Sequence, residues 1–390
     1  MANYKHLDNL LADFTSNGLP GCGLQITHHG ETIYEGYSGY SNIEKNIPIT
    51  KNSIFRQASM SKLPLYTTLM MLYEQGKFLL SDPIYDFFPE WKNPTKFIRH
   101  ETGYIDIVPC TNPVTIKDVL SMKCGLPYCN FPGETNDMTL REMQKYMEPL
   151  WKKGHFTNRE QIEAMSHVPM AFEPGTHWLY GFSSELAAGI IEAVCGKSID
   201  DVFAEMLFEP LEMKNTSSHY VGDAKERMVQ LYQRDADKKL TPIYMSLDDK
   251  FNPGPEFECG WSRLYSTVND FSNLMQMLAC GGKFKGEQIM GRKTIDLMRT
   301  NGLTKEQLCD IQDTYNAGYG YGMGVRTLID KYAGNHNGSL GAFGWTGGFG
   351  TWCESDPEEE VSIVYMHNMV PNEERYYHLR VRSAAYSIIN

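Results

Sequence analysis

No stretch of this chain is apolar for long enough to cross a membrane, a task that takes roughly 18 to 20 consecutive apolar residues. Nor do the first residues, MANYKHLDNLLADFTSNG, read as a secretory signal: they hold no continuous apolar run and carry Asp8 and Asp13. Basic residues are in deficit, 36 Lys and Arg against 48 Asp and Glu, for a formal net charge of −12. This argues against nucleic acid as the main ligand, because binding phosphates needs a basic surface. Paired cysteine spacings are also missing. Nine cysteines are scattered from Cys22 to Cys353, and the closest pair, Cys124 and Cys129, has no second ligand pair at zinc-site spacing. An odd count without an export signal favours reduced thiols in a cytoplasmic protein, mostly buried small hydrophobes.

The chain has no H-E-x-x-H, and the adjacent His28 and His29 would point to opposite faces of a strand, so they read as a turn and not a metal pair. No metal and no cofactor are expected. There is no true G-x-S-x-G, so the nucleophile elbow of α/β-hydrolases is absent, and Glu358 to Glu360 read as a solvated turn. Internal repeats, low-complexity tracts and Pro/Gly/Ser linkers are absent too. What remains is an ordinary globular composition, 42% hydrophobic and 22% charged, over 390 residues. That length holds two average domains, or one large domain with an insertion.

Leu7, Leu10, Leu11 and Phe14 recur at helical spacing and predict an amphipathic first helix. From Gly23, GLQITHHGETIYEGYSGYSN predicts a hairpin turning at His29-Gly30. GFGTWCESDPEEEVSIVYMHNM from Gly348 predicts a second hairpin, and Asn372 to Asn390 a closing helix. The middle gives helices at Ile116 to Met122, Ser184 to Val194 and Ile199 to Leu207, with another at Val268 to Leu278. Strands at both ends around a helical middle predict an α+β protein. Its antiparallel sheet, flanked by helices, comes from residues 1–85 and 255–390, with 86–254 as a mostly helical inserted domain and the active site between the two.

Ser59-Met60-Ser61-Lys62 is the only S-x-x-K. One such match is expected by chance, and a capping serine with a solvated lysine is the bland alternative. The setting adds weight. The run LPLYTTLMMLYEQGK that follows is helical in length and ends at Gly76. Pro64 is tolerated only in a helix's first turn, so the helix starts close to Met60 and leaves Ser59 at its mouth. Free N–H groups and the positive dipole end there favour a developing oxyanion. Lys62 returns to the same face, where a desolvated lysine beside another cation serves as a base near neutral pH. Ser61 lacks a lysine at the right spacing.

Further segments follow in order. Among them are GKFLLSDPIYDFFPEW from Gly76, TIKDVLSMKCGLPY from Thr115, EPGTHWLYGFSSELAAGIIEAVCG from Glu173, GWSRLYSTVNDF from Gly260 and GYGYGMGV from Gly318. With the S-x-x-K, they resemble the penicillin-recognising, β-lactamase/transpeptidase-like family, class C β-lactamases in particular, from about Gly23 to His367. The resemblance implies an acyl-enzyme on Ser59, with Lys62 and Tyr180 as general base and acid. It implies an oxyanion hole made by the backbone N–H groups of Ser59 and Gly348. Substrate would touch Trp345, Thr346, Gly347, Phe182 and Tyr128.

Two positions depart from the family pattern. Tyr180-Gly181-Phe182 lacks the amide that would hold an acylamino group. Trp345-Thr346-Gly347-Gly348 carries tryptophan where β-lactamases have a carboxylate-binding lysine, which looks like the family VIII carboxylesterases. The resemblance therefore implies a small-molecule ester as substrate, with neither nucleic acid nor membrane as partner. A D-amino-acid peptidase, amide hydrolase or weak β-lactamase stands as the alternative, followed by an acyltransferase and by a catalytically inactive binding or sensor domain. Tyr128, Trp178, Phe343, Phe349 and Trp352 line an acyl pocket or pack in the core.

Overall fold

Apolar alternation at the two chain ends builds one eight-stranded sheet. The computed structural model describes residues 4–128, 133–154, 156–252, 263–311 and 315–389. Strands β1 (Gly21–His28), β2 (Glu31–Asn42) and β3 (Ile47–Pro48) come from the beginning of the chain. From its end come β4 (Tyr319–Tyr321), β5 (Arg326–Leu328), β6 (Phe343–Thr346), β7 (Trp352–Asp356) and β8 (Val361–His367). Their spatial order is β4-β5-β6-β7-β8-β1-β2-β3, and each neighbouring pair is antiparallel.

Both expected hairpins are present. The first turns through His29 and Gly30, whose φ values of 50° and 78° suit a tight two-residue turn. There the His28 and His29 rings stack at 3.9 Å instead of pointing apart, because His29 has left the strand for the turn. Its Nδ1 pairs with Glu360 of the second turn, 2.8 Å away.

Helices cover both faces of the sheet. In chain order they include α1 (Lys5–Ser16), α2 (Lys62–Glu74), α3 (Ile116–Leu120), α4 (Ser183–Cys195), α5 (Val268–Ala279) and α6 (Glu374–Tyr386). Of these, α1 and α6 lie on one face and α5 on the other, while α2 and α3 pack against α4. A 20-residue helix, Glu134–Lys153, belongs to the middle of the chain. Along β8, Val361, Ile363 and Tyr365 join Leu7, Leu11 and Phe14 of α1 and Tyr377 and Val381 of α6 in one core. Val364 and Met366, on the opposite face, join a larger core with Leu69 of α2, Ile190 of α4 and Phe271 of α5. That core runs without a break from the sheet into the middle of the chain. The mostly helical middle also contains a hairpin, Thr95–Arg99 with Ile105–Pro109, that the sequence reading did not name. The helix expected over Ile199 to Leu207 is α-helical to Phe203 and passes into a wider π turn, Ala204–Phe208.

Candidate active site

Ser59 occupies a tight 3₁₀ turn, Ala58–Ser61, and α-helical bonding begins only at Lys62. The helix therefore starts a half-turn later than the position of Pro64 suggested. Ala58 sets this up. Its φ of +46° is in the left-handed region that non-glycine residues avoid, and such strain is often stored beside reactive groups. Lys62 is buried, and its Nζ lies 3.4 Å from Ser59 Oγ. The neighbouring Ser61 is engaged elsewhere: it is fully buried, and its Oγ accepts the Leu264 backbone N–H at 3.1 Å.

The other wall comes from two paired loops. Leu179 N–H donates to Met122 O, and Phe182 N–H donates to Leu126 O. A methyl group at Gly181 would lie 1.8 Å from Leu126 O, so only glycine permits this approach. The pairing sets Tyr128 and Tyr180 side by side, ring centroids 5.6 Å apart, and Lys62 Nζ lies 5.1 Å from each centroid. Phe182 packs edge-on under Tyr128 at 4.6 Å.

Behind Tyr128 lies a residue that the sequence reading missed. Tyr128 Oη donates to Glu185 Oε2 at 3.0 Å and is 2.6 Å from Ser184 Oγ, which also donates to Glu185 Oε2. Burial pushes the Glu185 carboxyl up to about 7, against the opposing pull of the Lys62 charge. Burial likewise holds the phenols of Tyr66 and Tyr128 well above their ordinary value. Lys62 and Glu185 act on one another electrostatically. The available signal was Glu185 directly ahead of the apolar run LAAGII.

Strand β6 forms a third side. The Trp345 ring lies 5.4 Å from Tyr180 and 5.4 Å from Tyr321. Gly347 and Gly348 belong to the turn after β6, not to the strand. Gly347 N–H donates to Thr351 O at 2.7 Å, and Thr351 Oγ1 donates to Gln57 O at 3.0 Å, which docks the turn beside the Ser59 segment. A methyl group at Gly347 would come within 2.2 Å of Gln57 O, whereas one at Gly348 would meet nothing within 4 Å. Thr346 Oγ1 is engaged with Thr351 O at 3.2 Å and with Glu374 Oε2 at 3.1 Å.

Trp178, Tyr180, Tyr315, Arg326, Trp345 and Glu374 are among the residues lining a cavity of about 960 Å³. Phe343 and Trp352 are instead packed in the two cores. Tyr180 Oη and the Trp345 indole nitrogen are buried with no hydrogen-bond partner among the described residues. No cluster of three or more metal-ligating side chains occurs among the described residues.

Comparison with known proteins agrees with this architecture. The chain is 25% identical over 361 residues to Protein Rv1367c of Mycobacterium tuberculosis, covering 91% of this chain and 87% of that one. It is 21% identical to Esterase EstB of Burkholderia gladioli over 90% of this chain and 86% of the esterase. The solved structure of EstCE1, described as a hydrolase with promiscuous acyltransferase activity, superposes with a TM-score of 0.80 at 23% identity, covering 98% of each chain. The family model described as Beta-lactamase matches residues 7–386, so the chain belongs to the beta-lactamase family of serine hydrolases.

Proposed function

We propose that this protein cleaves carboxylic esters of small molecules through an acyl-enzyme on Ser59. The observation that carries the reading is the buried Lys62 amine 3.4 Å from Ser59 Oγ. A small shortening of this contact on substrate binding brings it within reach for a neutral amine to take the serine proton as the oxygen attacks. The backbone N–H groups of Ser59 and Gly348 receive the carbonyl oxygen as it becomes an oxyanion. Tyr180, a buried phenol with no other partner among the described residues, passes a proton to the departing alkoxide. It then takes one from the water that releases the acid. Tyr128, Phe182, Thr346 and Gly347 frame the acyl group.

Ester is favoured over β-lactam or peptide for two reasons. Trp345 offers apolar surface where a cation would hold a substrate carboxylate. In addition, the Thr346 hydroxyl beside it is already shared with a carboxylate of the protein, Glu374. A charged hydrogen bond of that kind contributes about 1.5–3 kcal/mol, so its loss costs roughly ten- to a hundredfold in rate. Transfer of the acyl group to an alcohol instead of water is a second reading, favoured by the likeness to EstCE1.

The division into a sheet unit (1–85 and 255–390) and a helical insertion (86–254) belongs to the same proposal. It is supported by Ser59 and Lys62 arriving from one unit and Tyr128 and Tyr180 from the other; the boundary at 255 lies outside the described residues. A cytoplasmic setting is proposed as well, on the odd cysteine count. No helix among the described residues is long and apolar enough to cross a membrane. The test is a panel of p-nitrophenyl butyrate, nitrocefin and a D-Ala-D-Ala peptide on wild type and Ser59→Ala. The ester should lead in kcat/KM by on the order of a hundredfold after correction for intrinsic reactivity. Equal rates on nitrocefin or the peptide would overturn the reading.

A further inference from the structure

Glu185 is 1% exposed and sits at the start of α4 with both walls of the site folded over it. One carboxylate oxygen, Oε2, receives the Tyr128 and Ser184 hydroxyls; the other, Oε1, is buried with no hydrogen-bond partner among the described residues. A carboxyl held this way is badly solvated, and an ionised acid in a dry interior needs a compensating charge. The cation that acts on it is Lys62. Tyr128 joins the two physically, since its ring faces the Lys62 amine and its hydroxyl bonds the acid.

From this geometry we propose that Glu185 is a positioning residue for Lys62: it anchors Tyr128 against the lysine, and its charge sets the pH at which Lys62 can accept the Ser59 proton. The inference rests on Ser59 and Lys62 acting as proposed above and adds to it the group that controls the lysine.

The sign follows from Coulomb's law. An ionised Glu185 favours the ammonium form of Lys62 and so keeps the base from being available; a neutral group at 185 does the opposite. Among the described residues, the other ionisable groups near the carboxyl are phenols and the Cys124 thiol, which is tied to Ser183 and which burial pushes up. Tyr66 on α2 and Tyr128 stay neutral across the range in which Glu185 titrates, because burial holds both well above their ordinary value. Tyr180 stands one ring further out, beside Tyr128. The Lys62 charge in turn pulls the Glu185 carboxyl down against the upward push of burial.

The experiment is the pH dependence of kcat/KM for p-nitrophenyl butyrate, paired with the rate of Ser59 labelling by a fluorophosphonate, for wild type, Glu185→Gln and Glu185→Asp. Glutamine keeps an acceptor for Tyr128 and removes only the charge. The acid limb of both profiles should move to lower pH by about one unit or more in Glu185→Gln, which is roughly tenfold more activity relative to the plateau on that limb. Glu185→Asp retains the charge and should hold the limb within about half a unit. Should the glutamine variant fail to fold, Glu185→Met supplies a neutral side chain of similar volume for the same comparison. A limb unmoved by the neutral residue, with Ser59 still labelled, overturns this inference alone. Absence of Ser59 labelling in the wild type would instead overturn the reading on which it rests.

Discussion

The Ser59–Lys62 turn and the Trp345–Gly348 segment lie side by side in the site, yet they are held in different ways. The first is shaped by its own short sequence: Ala58 in a left-handed conformation, a 3₁₀ turn, then Pro64 in the first turn of a buried helix. The second depends on distant partners, with Thr351 bonded to Gln57 O and Thr346 bonded to Glu374. The residues proposed for bond-making thus sit on a locally determined element. Those proposed for substrate choice sit on one that tertiary contacts determine. Changes on the first wall should act on kcat almost alone. On the second, changes at Trp345 should redistribute activity among substrates, while Gly348, proposed for the oxyanion hole, should act on kcat.

The largest effects are expected on the first wall and the phenol beside it. Lys62→Ala and Tyr180→Phe should each lower kcat/KM for p-nitrophenyl butyrate by on the order of 10² to 10⁴. If they form one proton-transfer unit, the double variant should be little worse than the poorer single. Fully additive losses in a folded double variant would show that the two residues work independently.

Adjacent glycines separate the roles of the second wall. Gly347→Ala pushes a methyl group into Gln57 O and Thr351 Oγ1 and should lower stability by about 1–3 kcal/mol in denaturant titration. Gly348→Ala meets no protein atom, so its stability should stay within about 0.5 kcal/mol of wild type. Its kcat should nonetheless fall on the order of 10- to 100-fold, because the methyl group displaces the carbonyl from the oxyanion position. Unchanged kcat in a stable Gly348→Ala would remove Gly348 from the proposed hole.

Trp345→Lys restores a cation to the substrate side. It should raise kcat/KM for nitrocefin relative to p-nitrophenyl butyrate by roughly tenfold or more. A ratio that does not change would mean that Trp345 does not set the preference.

The last effect is on stability and leaves the comparison of the two segments untouched. The folded-state value of Glu185 is raised from 4.5 to about 7, so below pH 4.5 the acid is protonated whether the chain is folded or not and costs nothing. Between 4.5 and 7 the unfolded chain ionises first, and the native state loses about 1.4 kcal/mol per pH unit at most. Glu185→Gln should therefore gain stability over wild type as pH rises through that window and level off above it. A pH-independent difference between the two melting curves would contradict the assigned burial effect.

Much of this arrangement was legible from the residues. Period-two alternation and a two-residue turn mark the first hairpin, and Pro357 with its acidic neighbours marks the second. Pro64 fixes where α2 begins to within a turn. What escaped lies in contacts between segments far apart in the chain. Glu185 reads as one more residue of an apolar helix until Tyr128, 57 positions earlier, is folded onto it. Glu374 reads as part of a surface helix until it reaches Thr346. The hairpin over Thr95–Arg99 and Ile105–Pro109 was lost because its strands are short and half-exposed, with too little alternation to stand out.

The proposed reaction requires that Ser59 be the residue acylated. The direct measurement is peptide mapping by mass spectrometry of the intact chain after reaction with a fluorophosphonate or a slow ester. One adduct per chain on Ser59, absent from Ser59→Ala and unaffected by Ser61→Ala, is the result expected. An adduct on Ser61 or any other residue, or labelling that survives Ser59→Ala, would contradict it.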